Sequence, residues 1–120
     1  MKCLVSIILI FLAVIPAMGK TRLLTVTVAD YAPESGWAHI NANNDKEIVL
    51  QQFQSIASIT SLSESQATYR NILKHLSTLE RDVSNGDTVI VHFSGHGQQI
   101  VALNDSDEPD GLDEALIPFD

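Results

Sequence analysis

A chain of 120 residues has room for one domain at most, and its 15 acidic residues against 7 basic ones give a formal charge of −8. Such a surface repels nucleic acid and anionic membrane, which removes both as natural partners. The single cysteine, Cys3, leaves no material for an internal disulfide.

Met1-Lys2 is a short positive start, residues 4–15 are almost unbroken apolar sequence, and Ala17-Met18-Gly19 follows with small residues. This is the pattern of a secretory signal peptide over residues 1–19, with cleavage before Lys20. It implies an exported protein, secreted or periplasmic, whose mature domain is residues 20–120. The apolar run is shorter than the roughly 20 residues a bilayer core requires, so no membrane association is expected after cleavage. Cleavage also removes Cys3 and Lys2.

Residues 23–28 are apolar and β-branched and predict a strand, followed by a loop over 30–43 with the turn formers Pro33, Gly36 and Asn41. Asn44-Asp45 can cap a helix whose apolar stripe is Ile48, Val49, Gln52, Phe53 and Ile56. Residues 56–62 predict a short second strand. Ser65 or Thr68 can cap the next helix, with Ile72, Leu73, Leu76, Leu79 and Val83 at three- and four-residue spacing. Asn85-Gly86-Asp87 ends that helix and turns the chain into a strand over 88–93. Strands alternating with helices imply right-handed crossovers and an α/β fold with a mostly parallel sheet flanked by helices. Two further short strands, 99–103 and 114–117, are expected as a hairpin at the sheet edge, joined by an acidic turn.

The strand over 88–93 delivers His96 to a loop, Ser94-Gly95-His96-Gly97, in the crevice beyond the strand's carboxyl end, where open α/β sheets place their sites. Imidazole titrates near neutral pH and can act as a general base. Gly97 offers a backbone N–H beside it for a developing oxyanion. Taken alone, a histidine in a turn is more often a surface or capping residue, and it is the strand leading into Gly-His-Gly that reverses this balance. Trp37 and His39 read as loop packing. The acidic run from Asp105 fails as a Ca²⁺-binding helix–loop–helix, since Pro109 and Gly111 fall at its fifth and seventh positions, and a solvated turn is the simpler reading. His92 and His96 lie on a strand and a loop, which does not suit a zinc-protease pair. Asn104-Asp105-Ser106 matches an N-glycosylation acceptor.

His92-Phe93-Ser94-Gly95-His96-Gly97-Gln98-Gln99, then Asp107-Glu108-Pro109-Asp110-Gly111-Leu112-Asp113-Glu114 and Ile117-Pro118-Phe119-Asp120, resembles the caspase/metacaspase family of cysteine peptidases, nearest its metacaspase-like branch. Ala67-Thr68-Tyr69-Arg70-Asn71-Ile72 and Asn44-Asp45 extend the resemblance more loosely toward Leu23. It implies a caspase-like three-layer fold, incomplete here, and proteolysis of a peptide or protein substrate through an acyl-enzyme on cysteine. By this resemblance His96 is the catalytic histidine, Gly97 supplies an oxyanion-hole N–H, and Asp45 helps to hold an Arg or Lys before the scissile bond. For Asp45, a helix N-terminal acid favoured by the dipole is an equal reading. No cofactor is implied, although some metacaspases respond to Ca²⁺.

The departure from the family is the nucleophile. The caspase pattern places its histidine about 50 residues before the cysteine. Here 24 residues follow His96 and none is cysteine. Ser94 is not a replacement, since no nucleophile elbow surrounds it and it precedes the histidine on the same strand. The chain therefore reads as the N-terminal part of a caspase-like peptidase, inactive as written. The alternative is a non-catalytic caspase-like binding or regulatory module.

Overall fold

The computed structural model describes residues 19–102 and 109–120. Residues 1–18 of the proposed signal segment, the acceptor Asn104 and most of the acidic turn lie outside them.

Strand β1 (Thr21–Thr27) is the centre of a three-stranded parallel sheet, paired on one side with β2 (Ala57–Ser63) and on the other with β3 (Thr88–Ser94). Helix α1 (Ala42–Phe53) makes the crossover from β1 to β2, and α2 (Tyr69–Asp82) the crossover from β2 to β3. The two crossovers run in opposite directions across the sheet. Right-handedness then puts the helices on opposite faces. Strand alternation divides the side chains accordingly. Leu24, Val26 and Val28 form the core with Leu62, Ala67 and Tyr31, against which Ile72 and Leu79 of α2 and Phe93 of β3 pack. Thr25 and Thr27 point to the other face, and both are fully buried. The Thr27 hydroxyl has no hydrogen-bond partner.

The helices differ in detail from the spacing of their apolar residues. Helix α1 begins at Ala42, two residues before Asn44-Asp45, which therefore lie inside its first turn, and Asn41 caps it without a side-chain bond. The buried Ala42 lies at this start, just past a loop closed on itself by the Ile40 N–H on the carbonyl of Ala29, two residues beyond β1 (3.1 Å). Its inner stripe is consequently Lys46, Val49, Leu50 and Phe53, and Ile48 stays exposed. Of the two expected caps of helix α2, Thr68 is the one used, its Oγ1 accepting the Asn71 N–H at 3.2 Å, while Ser65 lies in a preceding turn. Only Ile72 and Leu79 of its predicted stripe pack on the core. Leu73, Leu76 and Val83 are exposed, as are Val89 and Val91 of β3, whose outer edge has no strand beside it among the described residues. At the opposite end of α2, Gly86 takes a left-handed φ of 92°. There Asp87 accepts the N–H groups of Lys20 (2.7 Å) and Ser84 (3.1 Å) and pairs with Arg22 (3.3 Å).

The hairpin is separate from this sheet. Strands β4 (Gly97–Val101) and β5 (Leu112–Leu116) pair antiparallel, with Gly97 opposite Leu116, as a two-stranded unit rather than an extension of the sheet edge. Pairing starts two residues earlier than expected because Gly97 joins the ladder. The unit is tied back by the Ile117 N–H on the His96 carbonyl and the Phe119 N–H on the Ala67 carbonyl, both 3.0 Å, and by Asp120, whose carboxylate accepts the Tyr69 N–H at 2.7 Å.

Candidate active site

Past the carboxyl end of β1 the chain enters a loop that the Glu64 carboxylate organises. Glu64 adopts a positive φ of 50° and accepts the N–H groups of Ala29 (3.2 Å) and Asp30 (3.0 Å). A non-glycine residue is strained in this conformation, and here the strain brings a carboxylate beneath two free amide donors. The ordered loop then carries Tyr31, Trp37 and Ala38 toward the end of β3.

There the β3 loop presents His96. Its Nε2 lies 2.8 Å from the Ala38 carbonyl oxygen. A carbonyl can only accept, so Nε2 carries a proton, and of the two neutral tautomers the contact selects the one with its lone pair on Nδ1. The imidazole stacks on Trp37 with ring centres 4.9 Å apart and planes 30° from parallel, and lies 5.3 Å from the Tyr31 ring. Such aromatic contacts contribute about 0.5–1.5 kcal/mol each. The backbone is also held: the His96 N–H donates to the Tyr31 hydroxyl at 2.9 Å. This is an oriented imidazole with one nitrogen available to take a proton.

Asp45 comes to the same end of the sheet. Alternation along β3 turns Ser94, like His92, toward the α1 face, and the Ser94 hydroxyl donates to Asp45 Oδ2 at 2.6 Å. Asp45 is exposed in the first turn of α1, with the Ser94 hydroxyl on one of its two carboxylate oxygens. Gly97 opens β4 and is exposed; a Cβ there would sit 3.5 Å from the Ala115 carbonyl, an ordinary contact. Packing does not demand glycine at 97. It does at Gly95, where a Cβ would lie 2.8 Å from the Phe93 ring and 2.9 Å from the Tyr31 hydroxyl.

Several contacts escaped the sequence reading. Trp37, expected only to pack the loop, is a wall against His96. Its neighbour His39 instead binds Asp30 at 2.7 Å. His92 is 3.3 Å from the Thr25 hydroxyl, on the α1 face of the sheet. Among the described residues no three His, Cys, Asp or Glu side chains are grouped to hold a metal.

The family described as "Metacaspase, peptidase C14 domain" matches residues 35–120, from the first turn of the loop through both helices to the end of the hairpin. The chain belongs to the metacaspase family. Metacaspase-4 of Arabidopsis thaliana is 38% identical over 61 residues, 51% of this chain and 15% of that protein. Metacaspase-1 of Botryotinia fuckeliana is 45% identical over 56 residues, 47% of this chain and 13% of that protein. Those matches span about one-seventh of each metacaspase. The crystal structure of protein GSU0716 from Geobacter sulfurreducens superposes with a TM-score of 0.71 at 28% identity, covering 84% of this chain and 40% of that one. The α/β architecture, with its parallel sheet between helices, is thus the caspase-like fold that the sequence motifs implied. Strand β1 precedes the family match yet forms the sheet's centre, so the likeness in structure reaches further toward the N-terminus than the family match does.

Proposed function

We propose that this metacaspase chain supplies the histidine half of a cysteine endopeptidase site. The observation that carries the reading is His96, held through Nε2 on the Ala38 carbonyl so that Nδ1 is the nitrogen left to take the proton of a thiol. The Gly97 N–H then contributes to the oxyanion site. Asp45, fixed by Ser94, receives the Arg or Lys before the scissile bond as a charge-assisted pair. Protein or peptide substrates follow from this chemistry. The only cysteine in the sequence is Cys3, so the nucleophile comes from outside residues 20–120, and these residues alone do not hydrolyse peptides. Residues 1–19 act as an export signal, which places the domain outside the cytoplasm.

The test is the gene read past Asp120, with the encoded product assayed on paired peptides ending in Arg and in Asp. A frame encoding a further strand with a cysteine, and cleavage after Arg, support the reading. Asp45→Asn in that product lowers cleavage after Arg by about a hundredfold, the scale of a lost charged hydrogen bond. A frame that ends without a cysteine overturns the peptidase and leaves the non-catalytic module.

A further inference from the structure

We propose that Tyr31 is the positioning residue for His96, acting through one hydroxyl that joins the histidine loop to the base of the hairpin. The inference rests on the reading of His96 as the base. Tyr31 reaches the loop from 65 residues away in the chain. Its hydroxyl accepts the His96 N–H at 2.9 Å and donates to the Ile117 carbonyl at 3.0 Å. Both directions are fixed, because an amide N–H can only donate and a carbonyl can only accept. The phenol therefore uses its single proton on Ile117 and a lone pair on His96.

The consequence is a closed loop of bonds. The His96 carbonyl takes the Ile117 N–H directly at 3.0 Å, and the His96 N–H returns to the Ile117 carbonyl through Tyr31. His96 and Ile117 thus have both of their backbone groups engaged, and the histidine cannot rotate about its own backbone without breaking the Tyr31 bridge. The Tyr31 ring also stands beside the imidazole and 6.3 Å from Trp37, so backbone and ring are held from the same side chain. Gly95 leaves the space in which the hydroxyl sits, since a Cβ there would come within 2.9 Å of it. The bridge needs a protonated phenol. Burial raises the Tyr31 ionisation above its usual range, the His96 N–H acts against this, and the Glu64 carboxylate adds to it. A catalytic role is not required of the hydroxyl, whose contacts are to backbone. Tyr31 acts by keeping the Nε2 proton on Ala38, which keeps the Nδ1 lone pair aimed.

The experiment is nuclear magnetic resonance of the full chain with ¹⁵N-histidine, reading the ring tautomer and the amide exchange of His96, in the wild type, Tyr31→Phe and Gly95→Ala. The wild type shows one neutral tautomer, protonated on Nε2, and a protected His96 amide. Tyr31→Phe keeps the ring but loses the bridge. His96 amide exchange rises by about tenfold, the scale of one net hydrogen bond, and the ring nitrogens shift toward mixed tautomers. Amides of β1 stay protected, which separates positioning from folding. Gly95→Ala gives the same His96 shift by displacing the hydroxyl, and adds nothing to it in the Tyr31→Phe background. A Tyr31→Phe spectrum with the wild-type tautomer and exchange overturns the proposal, as does exchange rising equally throughout β1. Should Tyr31→Phe not fold, an unchanged His96 in folded Gly95→Ala overturns it. None of these readings uses a thiol or a substrate, so a gene product that cleaves nothing would refute the peptidase and leave them standing.

Discussion

Strand β1 and the β4–β5 hairpin are both short, but they are held in opposite ways. Every residue of β1 from Leu23 to Thr27 is buried, with a strand on each side and a helix on each face. Every residue of β4 is exposed, and the hairpin is anchored only where its trailing residues return to the body, through hydrogen bonds near His96, Tyr31, Ala67 and Tyr69 and the packing of Ile117 and Phe119 on the core. The difference separates scaffold from site. The sheet fixes where β3 ends, whereas the loop that leaves it depends on single contacts, and a one-atom change there can redirect the imidazole.

The largest effect is expected in the scaffold. Leu24→Ala, at a fully buried core position, should cost about 2–5 kcal/mol in denaturant unfolding, from lost transfer energy and the cavity left behind. The matching truncation in the hairpin, Ile100→Ala, removes a side chain that is 44% exposed and should stay within about 0.5 kcal/mol. Equal losses would break the contrast. A smaller change of opposite sign is expected at Thr27→Val. Its buried hydroxyl has no partner, so an apolar residue of nearly the same shape should stabilise by about 1 kcal/mol in the same measurement. Destabilisation would mean that the hydroxyl is satisfied in solution.

The smallest effect concerns acid. The N–H groups of Lys20 and Ser84, with Arg22 beside them, hold the Asp87 carboxyl below its usual range. A carboxylate depressed in the folded state contributes stability above its unfolded titration, and that contribution fades as pH falls through the folded value. Thermal melts of Asp87→Asn should therefore lose less stability than the wild type between about pH 5 and pH 2, with no difference in slope above this window. Parallel curves would remove Asp87 from the account.

Much of this architecture is legible in the residues because it is written in local signals. The β-branched runs, the helical spacing of Ile72 and Leu79, and the Thr68 cap each act within a few positions. The Ser-Gly-His-Gly loop points to the candidate site for the same reason. Helix α1 starts earlier than Asn44-Asp45 predicts because that pair caps well in isolation, whereas burial of Ala42 is a tertiary contact. The surroundings of His96 were hidden for a different reason. Ala38 contributes a backbone carbonyl, which any residue possesses, and it lies 58 positions away. Tyr31 and Trp37 become partners of the imidazole only after β1 and β3 are paired in register. Nothing local to Ser94 shows that its hydroxyl faces Asp45 across 49 residues.

The central claim is that the His96 ring takes up the proton of a sulfur nucleophile. The direct measurement is the hydrolysis rate of the thiol-bearing gene product carrying His96→Ala, with and without added free imidazole. The account predicts a loss of about 10²–10⁴-fold, the usual contribution of a general base, and partial recovery as imidazole is supplied. A His96→Ala product that cleaves at the wild-type rate would contradict it.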